Sequence, residues 1–334
     1  MKYLLKVVIL LISLASTYIF YLNNISSEIQ KEIYQDIFSG NYRESSTARF
    51  QVLNLEMPNL SLSSLPMKGL IARYYYLGAQ FDKALELANE SMHVNPYIMY
   101  NESLKQDIFF ELGVKDSLIY YAEKTFSGIP NNKKHFIDLA RAYSATNKRS
   151  KIDSIFKLVE HTNTIDIWKF YFSAILGNED SISPYGKEKA KEALEKFSSS
   201  GDTQLRLSAN YVLYGKNNVD KALDIDKEAE NLYANGQFIE AAEKYQEAIK
   251  LNPNEYSFYE NAGISYHLFG YYDKAIPLLN KVIDSLNPLT GKSEFVIAQS
   301  YFNLNDFEKA CQFIKLSSKL NYRDSFRLIS EYCK

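Results

Sequence analysis

The chain has 334 residues, 46% of them hydrophobic, with 38 basic against 40 acidic side chains and a formal net charge of −2. That length is large for one compact core and calls for two domains or an elongated array. The near balance of charge supplies no basic field for nucleic acid or an acidic membrane. With only 13 glycines and 8 prolines, the chain favours helices over a β-sandwich, which needs turn residues every ten or so positions.

At the N-terminus, Val7 to Leu22 carries no charge, and the apolar stretch counted from Leu4 to Leu22 is 19 residues. As a helix it is about 28 Å long, close to the hydrocarbon thickness of a bilayer, with Lys6 able to reach the interface. Ser13 and Ala15 would suit cleavage of a secretory signal. Cleavage there would leave Thr17-Tyr18-Ile19-Phe20-Tyr21-Leu22 as an apolar tail. An uncleaved anchor within residues 1–25 accounts for them better, with Tyr18 and Tyr21 in the interfacial belt. Lys2 and Lys6 precede the segment and Glu28 is the first charge after it. This pattern predicts a single-pass inner-membrane protein with the rest of the chain outside the cytoplasm. Release into the periplasm or medium after signal cleavage is the alternative. No cysteine follows the run, which excludes a lipidated N-terminus.

Residues 26–176 read as divergent helical repeats. Ser26–Asn59 opens the series with Gly40 and Tyr42. Leu65–Ile98 carries Ala72, Tyr75, Phe81, Ala84, Ala88 and Pro96, with Gly78 one place early. Met99–Asn132 carries Phe109, Gly113, Ala122 and Pro130. Lys133–Asp166 carries Ala140, Tyr143 and Phe156, with Asn147 in the glycine place. Ile167–Leu176 is the first half of a further pair. Residues 177–221 form an irregular helical linker: a polar break to Pro184, a charged helix over Lys187–Phe197, and a loop in which Asp202 is a helix N-cap. Helix pairing resumes near Gln204.

The strongest pattern covers residues 222–324, which read as three repeats. Ala229, Gly236, Phe238, Ala241, Tyr245, Ala248 and Pro253 are followed 34 residues later by Gly263, Gly270, Tyr272, Ala275, Leu279 and Val282. A third unit carries Ala298, Asn305, Phe307, Ala310, Ile314 and Ser317. A small residue lets two helices approach closely, aromatics fill the gap between pairs, glycine opens the turn and proline stops the second helix. These residues resemble the tetratricopeptide-repeat (TPR) family. The resemblance implies an all-α fold: a right-handed superhelix, or α-solenoid, of antiparallel helix pairs, here preceded by one transmembrane helix. Such an array needs an end cap. Residues 325–334 supply it as an amphipathic helix, with Phe326, Leu328 and Ile329 facing the last repeat.

Nothing in the sequence resembles a catalytic constellation. His93, His135, His161 and His267 are scattered, and there is no zinc-binding spacing, phosphate loop or nucleophile elbow. No enzyme activity, metal or cofactor is expected. Cys311, near the start of the last second helix, and Cys333, at the end of the cap, meet if those helices are antiparallel neighbours. A disulfide could then form outside the cytoplasm; the alternative is two unpaired thiols. The 27 tyrosines suit core positions of helix pairs, or alternatively a ring-lined groove.

The resemblance also implies a binding surface on the inner face of the first helices. It maps to Arg73, Tyr76, Asp107, Phe110 and Arg141 in the first half of the chain. In the second half it maps to Glu230, Tyr233, Asn261, His267, Lys292, Gln299 and Phe302. TPRs that clamp the C-terminal carboxylate of chaperones use a set that Asn261 and Lys292 match. Asp226, Glu230 and Val296 stand where that set needs Lys, Asn and Arg. An acidic pair there would repel a carboxylate. The resemblance therefore implies a non-catalytic scaffold that binds a protein or peptide partner at the cell envelope, not a chaperone-tail receptor. The alternative is an accessory component of surface-polysaccharide assembly that touches glycan, because the chain is similar to the repeat tails of O-antigen-ligase-like envelope proteins.

Overall fold

In a computed structural model of the chain, every residue is described except 1, 41, 44–46, 48–49, 51–58, 62, 163, 178–181, 287 and 334. Much of residues 41–59 and the middle of the expected polar break after Gly177 therefore lie outside the described residues. Apart from one bridge between Leu60 and Pro66, the described residues form helices, turns and bends. The chain divides into two compact units, residues 1–151 and 152–334. The stretch 177–202, where a boundary was expected, falls inside the second unit.

The first unit begins with α1 (Lys2–Ser39), a single helix of 38 residues. The anchor segment expected to end near residue 25 thus continues without a break. No glycine or proline interrupts the chain before Gly40, which has φ +65° in the left-handed region that ends helices. Two hairpins follow: α2 (Met67–Leu77) with α3 (Phe81–Glu90), and α4 (Tyr100–Glu111) with α5 (Lys115–Gly128). α6 (Lys133–Ala145) completes the unit. Its N-cap is Asn132, whose side chain accepts from the amides of Lys134 and His135. Ile29 and Ile33 of α1 pack with Ile71, Tyr74 and Tyr75 of α2, Ala84 and Ala88 of α3, and Leu104 and Ile108 of α4. The left-handed turn residues between first and second helices are Ala79, Gly113 and Asn147, spaced 34 apart. Gly78, one place early in the sequence pattern, has an ordinary negative φ.

The second unit opens with α7 (Ile152–Val159) and α8 (Ile165–Leu176), then α9 (Pro184–Lys196) and α10 (Thr203–Tyr214). Trp168, Phe156, Tyr171 and Phe172 are fully buried there, with the Phe156 and Tyr171 rings stacked at 3.8 Å. Tyr171 donates to Asp153 at 2.7 Å. Asp202 caps α10 by accepting from the Leu205 amide at 2.8 Å. Three hairpins follow: α11 (Lys216–Ala234) with α12 (Phe238–Leu251), α13 (Tyr256–Phe269) with α14 (Tyr272–Lys281), and α15 (Lys292–Asn303) with α16 (Phe307–Lys319).

The repeat residues of these hairpins do what their sizes dictate. Ala229, Ala241, Ala248, Ala262, Ala275, Ala298 and Ala310 are wholly enclosed. A Cβ on Gly263 would stand 2.6 Å from Leu279 Cγ and 3.3 Å from the Ala275 carbonyl, so the site admits only glycine at this helix spacing. The third repeat is one residue longer than the second: Gly236 to Gly270 spans 34 positions, Gly270 to Asn305 spans 35. The extra residue falls between Val282 and Ala298, where α14 runs into a π-helical turn at Val282–Leu286.

The cap helix α17 (Ser325–Tyr332) seats Leu328, Ile329 and Cys333 on a cluster that includes Leu279, Phe295 and Ile314. Phe326, expected on this face, is 54% exposed. In the helix it lies roughly 100° round from the face shared by buried Ser325, Leu328 and Ile329. A disulfide joins Cys311 to Cys333, with Cα atoms 5.5 Å apart and a sequence separation of 22. Closing a loop of that length stabilises the folded chain by about 3 kcal/mol in the chain-entropy model. Thermal unfolding with and without reductant should therefore show the C-terminal repeats losing stability of that order. Unchanged melting would mean that the cross-link constrains nothing.

Candidate functional site

The first helices of the first unit bring together the residues that the repeat pattern singled out. Arg73, Asp107 and Arg141 occupy one motif position in three successive repeats, 34 residues apart, and so do Tyr76 and Phe110. Arg73 Nη1 lies 3.7 Å from Asp107 Oδ2. The Arg141 guanidinium stands 5.9 Å from the centre of the exposed Phe110 ring, within cation–π range. Tyr76 lies within the electrostatic reach of Asp107, Glu111, Arg73 and Arg141. Burial raises its phenol pKa, the two carboxylates raise it further, and the two arginines oppose them.

Two further residues complete this surface. Lys134 Nζ is 3.4 Å from Asp107 Oδ1 and also pairs with Asp138 one turn along α6. Burial pushes the Asp107 carboxyl up, against the pull of Lys134. The sequence reading did not single out Lys134 or Asp138. Their i, i+4 spacing on a first helix was the available signal. The result is a surface across α2, α4 and α6 on which rings and charges of both signs alternate.

The second unit treats its set differently. Lys292 pairs with the buried Glu260 at 3.2 Å, and Glu260 also accepts from Ser293 at 2.9 Å. His267 Nδ1 meets Ser300 Oγ at 2.8 Å. Ser300 gives its one hydroxyl hydrogen to the Val296 carbonyl, so Nδ1 of His267 carries the hydrogen of that contact. Burial lowers the His267 pKa, which keeps the ring neutral at pH 7. Phe302 packs between Phe307 and Tyr332, with ring centres at 6.0 and 5.2 Å, so the cap engages it. Tyr233 leans on Phe238 at 5.5 Å. Asn261 and Gln299 are half-buried, and Glu230 is exposed.

Beside Glu230 lies Asp226, whose Oδ1 is buried without a hydrogen-bond partner. Its carboxyl is pushed up to about 6 by burial first, then by Glu230 and Glu255. Glu255 is itself held by Arg206 at 2.9 Å. The acidic pair that sets this chain apart from carboxylate clamps is therefore strained electrostatically as well as opposite in sign. Nearby, Lys191, Glu195, Arg206, Tyr214 and Tyr256 border a cavity of about 250 Å³. Among the described residues no three His, Cys, Asp or Glu side chains converge on a metal position.

Residues 222–255 match the family model described as tetratricopeptide repeat. No curated protein matches the chain. Several solved structures are similar to it. The TPR2AB domain of yeast Sti1 in a pHSP90 complex is 18% identical, with 79% of this chain and 95% of that one covered at a TM-score of 0.31. A tetratricopeptide repeat protein from Parabacteroides merdae is 11% identical, covering 92% and 97% at 0.31. The P58(IPK) TPR domain is 14% identical, covering 94% and 78% at 0.30. The repeat assignment rests on residues 222–255 and on the packing of the motif residues.

The raised carboxyl of Asp226 has a consequence for stability. Its folded pKa of about 6 lies above the ordinary 3.8, so the fold prefers the protonated form. The stability that preference contributes is fully present below about 3.8 and is lost as pH rises through about 6. Asp226→Asn should raise the melting temperature by roughly 2–4 °C at pH 8 and leave it unchanged at pH 4. A shift of equal size at both pH values would show that ionisation is not the cause.

Proposed function

We propose that this protein is a non-catalytic interaction scaffold, tethered to a membrane by α1, that binds an extended segment of a protein partner across α2, α4 and α6. The observation that carries the reading is the convergence of Arg73, Tyr76, Asp107, Phe110, Lys134 and Arg141 from the first helices of three successive repeats. An extended peptide crossing such a surface meets a charge or a ring at each repeat, and both signs of charge are available to it. Among the tyrosines that suggested a sugar-lined groove, Tyr74, Tyr75, Tyr143, Tyr171, Tyr245 and Tyr266 are buried and serve the core.

Two observations support the tether and its sidedness. The apolar side chains from Tyr3 to Tyr21 are exposed, and the most apolar window of this helix has a mean hydropathy of 2.0 with none of it buried. Water does not tolerate so long an unpartnered apolar helix, whereas a bilayer accepts it. The Cys311–Cys333 disulfide suits an oxidising compartment outside the cytoplasm.

Crosslinking in intact cells followed by mass spectrometry tests the surface. Charge reversal of both Arg73 and Arg141 should cut recovery of the wild-type partner at least tenfold, an effect of about 1.4 kcal/mol or more, with melting essentially unchanged. Equal recovery would remove the assignment to this face. The acidic α11 leads to a separate expectation. Peptides ending in an acidic C-terminal carboxylate motif should not bind at micromolar concentration, measured by calorimetry on the chain beyond α1's apolar half. Micromolar affinity would overturn the reading of Asp226 and Glu230.

A further inference from the structure

We propose that the edge of the first unit formed by residues 63–68 and 91–98 is a lipid-facing surface, with Tyr97 as its contact to the headgroup layer. The proposal rests on the membrane tether described above and adds what that tether does to the rest of the unit.

The argument begins with the continuity of α1. The apolar half ends at Leu22, and the same helix runs on to Ser39. Ser26 and Gln30 are already buried, and each approaches the sulfur of Met67 at 3.6 Å. Asp36 accepts from Tyr74 at 3.0 Å. The contacts 26 with 67 and 36 with 74 advance together, so α1 and α2 run parallel. The N-terminal end of α2 therefore points the same way as the apolar half of α1. A rise of about 1.5 Å per residue puts the start of α2, level with residues 26 to 30, roughly 6–12 Å beyond Leu22, and Ser63, which meets Tyr34 at 2.8 Å, up to roughly 18 Å beyond it. The headgroup region of a bilayer is about 5–7 Å thick on each side. With no flexible linker between span and unit, this edge has nowhere to go but the membrane surface.

The returning chain brings a second segment to the same edge. α3 runs back against α2, and Lys68 meets Glu90 at its end at 2.8 Å. Asn95 then donates to the Ser64 carbonyl at 2.8 Å. Between Asn95 and Met99, both in the left-handed region, lies the short turn Pro96–Ile98. It presents Tyr97 at 85% exposure. An isolated surface tyrosine that exposed has no packing role, and a ring with a polar tip suits the interface between headgroups and water. The N-terminal amides of α2 add a partial positive charge facing anionic headgroups.

The full chain contains one tryptophan, Trp168, which is fully buried and gives a constant background. Tyr97→Trp is compared with Leu112→Trp, which sits past the far end of α4 at an exposed position. Each full-length variant is reconstituted into phosphatidylcholine vesicles with one-fifth phosphatidylglycerol, with and without a headgroup spin-labelled lipid. Quenching of the added emission should be at least about twofold greater at 97 than at 112. Equal quenching in protein that floats with the vesicles after alkaline carbonate overturns the docking surface and leaves the tether standing. Protein that carbonate strips from the vesicles overturns the tether, and the docking surface with it.

Discussion

A pair of antiparallel helices has an apolar stripe on each outer side and can bury only what lies between its two members. Everything else in this structure follows from the need to cover the remainder with the next pair. Close approach is what makes that cover sufficient, and close approach needs small side chains at fixed places. Ala229, Ala241 and Ala248, with Ala275, Ala298 and Ala310 in the next two hairpins, are wholly enclosed, and a Cβ on Gly263 would collide with Leu279. Larger residues then fill the remaining gaps: Tyr245, Leu279 and Ile314 occupy the equivalent place in three successive second helices and are all buried. After the last hairpin, α17 presents Leu328 and Ile329 inward and leaves Phe326 to solvent.

The same requirement acts at the opposite terminus, where α1 supplies the missing neighbour. Its second half buries Ile29 and Ile33 against α2 and α4, so it is a structural member of the first unit. Its first half, Tyr3 to Tyr21, is exposed among the described residues. One helix thus has a packed half and an exposed apolar half. Any force or tilt applied to the apolar half is transmitted to α2 through Met67, Tyr74 and Asp36 without passing through a loop. This distinguishes the arrangement from a domain on a flexible stalk, whose orientation is free.

The hairpins at 222–324 were legible because each motif residue there obeys one local rule. The turn residues of the first unit were less so. Ala79 takes the left-handed conformation although Gly78 stands beside it, because the repeat spacing to Gly113 and Asn147 fixes the position and the residue type only biases it. The continuation of α1 beyond residue 25 was visible in the absence of any helix breaker before Gly40, yet the uncharged run stops at Leu22 and Glu28 follows, which set the end of the anchor segment. α4 was the least legible. Asn101 through Gln106 are buried although five of the six are polar. Most find partners that only the fold supplies: Lys105 reaches Asn89 at 2.6 Å, Lys124 reaches Glu102 at 3.1 Å, and Asn101 donates to Ser91 at 3.1 Å while its Oδ1 is left without a partner. Polar periodicity alone assigns such a face to water.

The two halves of the candidate surface show why motif position does not by itself define a groove. In the first unit, one position is filled by Arg73, Asp107 and Arg141 in turn, so neighbouring repeats carry opposite charges, and Lys134 and Arg73 offset the repulsion between Asp107 and Asp138. In the second unit, Lys292 is drawn to the buried Glu260, His267 to Ser300, and Phe302 to the cap. These contacts leave Asp226 and Glu230 without a basic residue opposite them, apart from the neighbouring Lys227. The packing that stabilises the C-terminal hairpins consumes the side chains that would otherwise offer a mixed surface. The first unit, whose hairpins match the repeat pattern less well, keeps its charges and rings available across three helices.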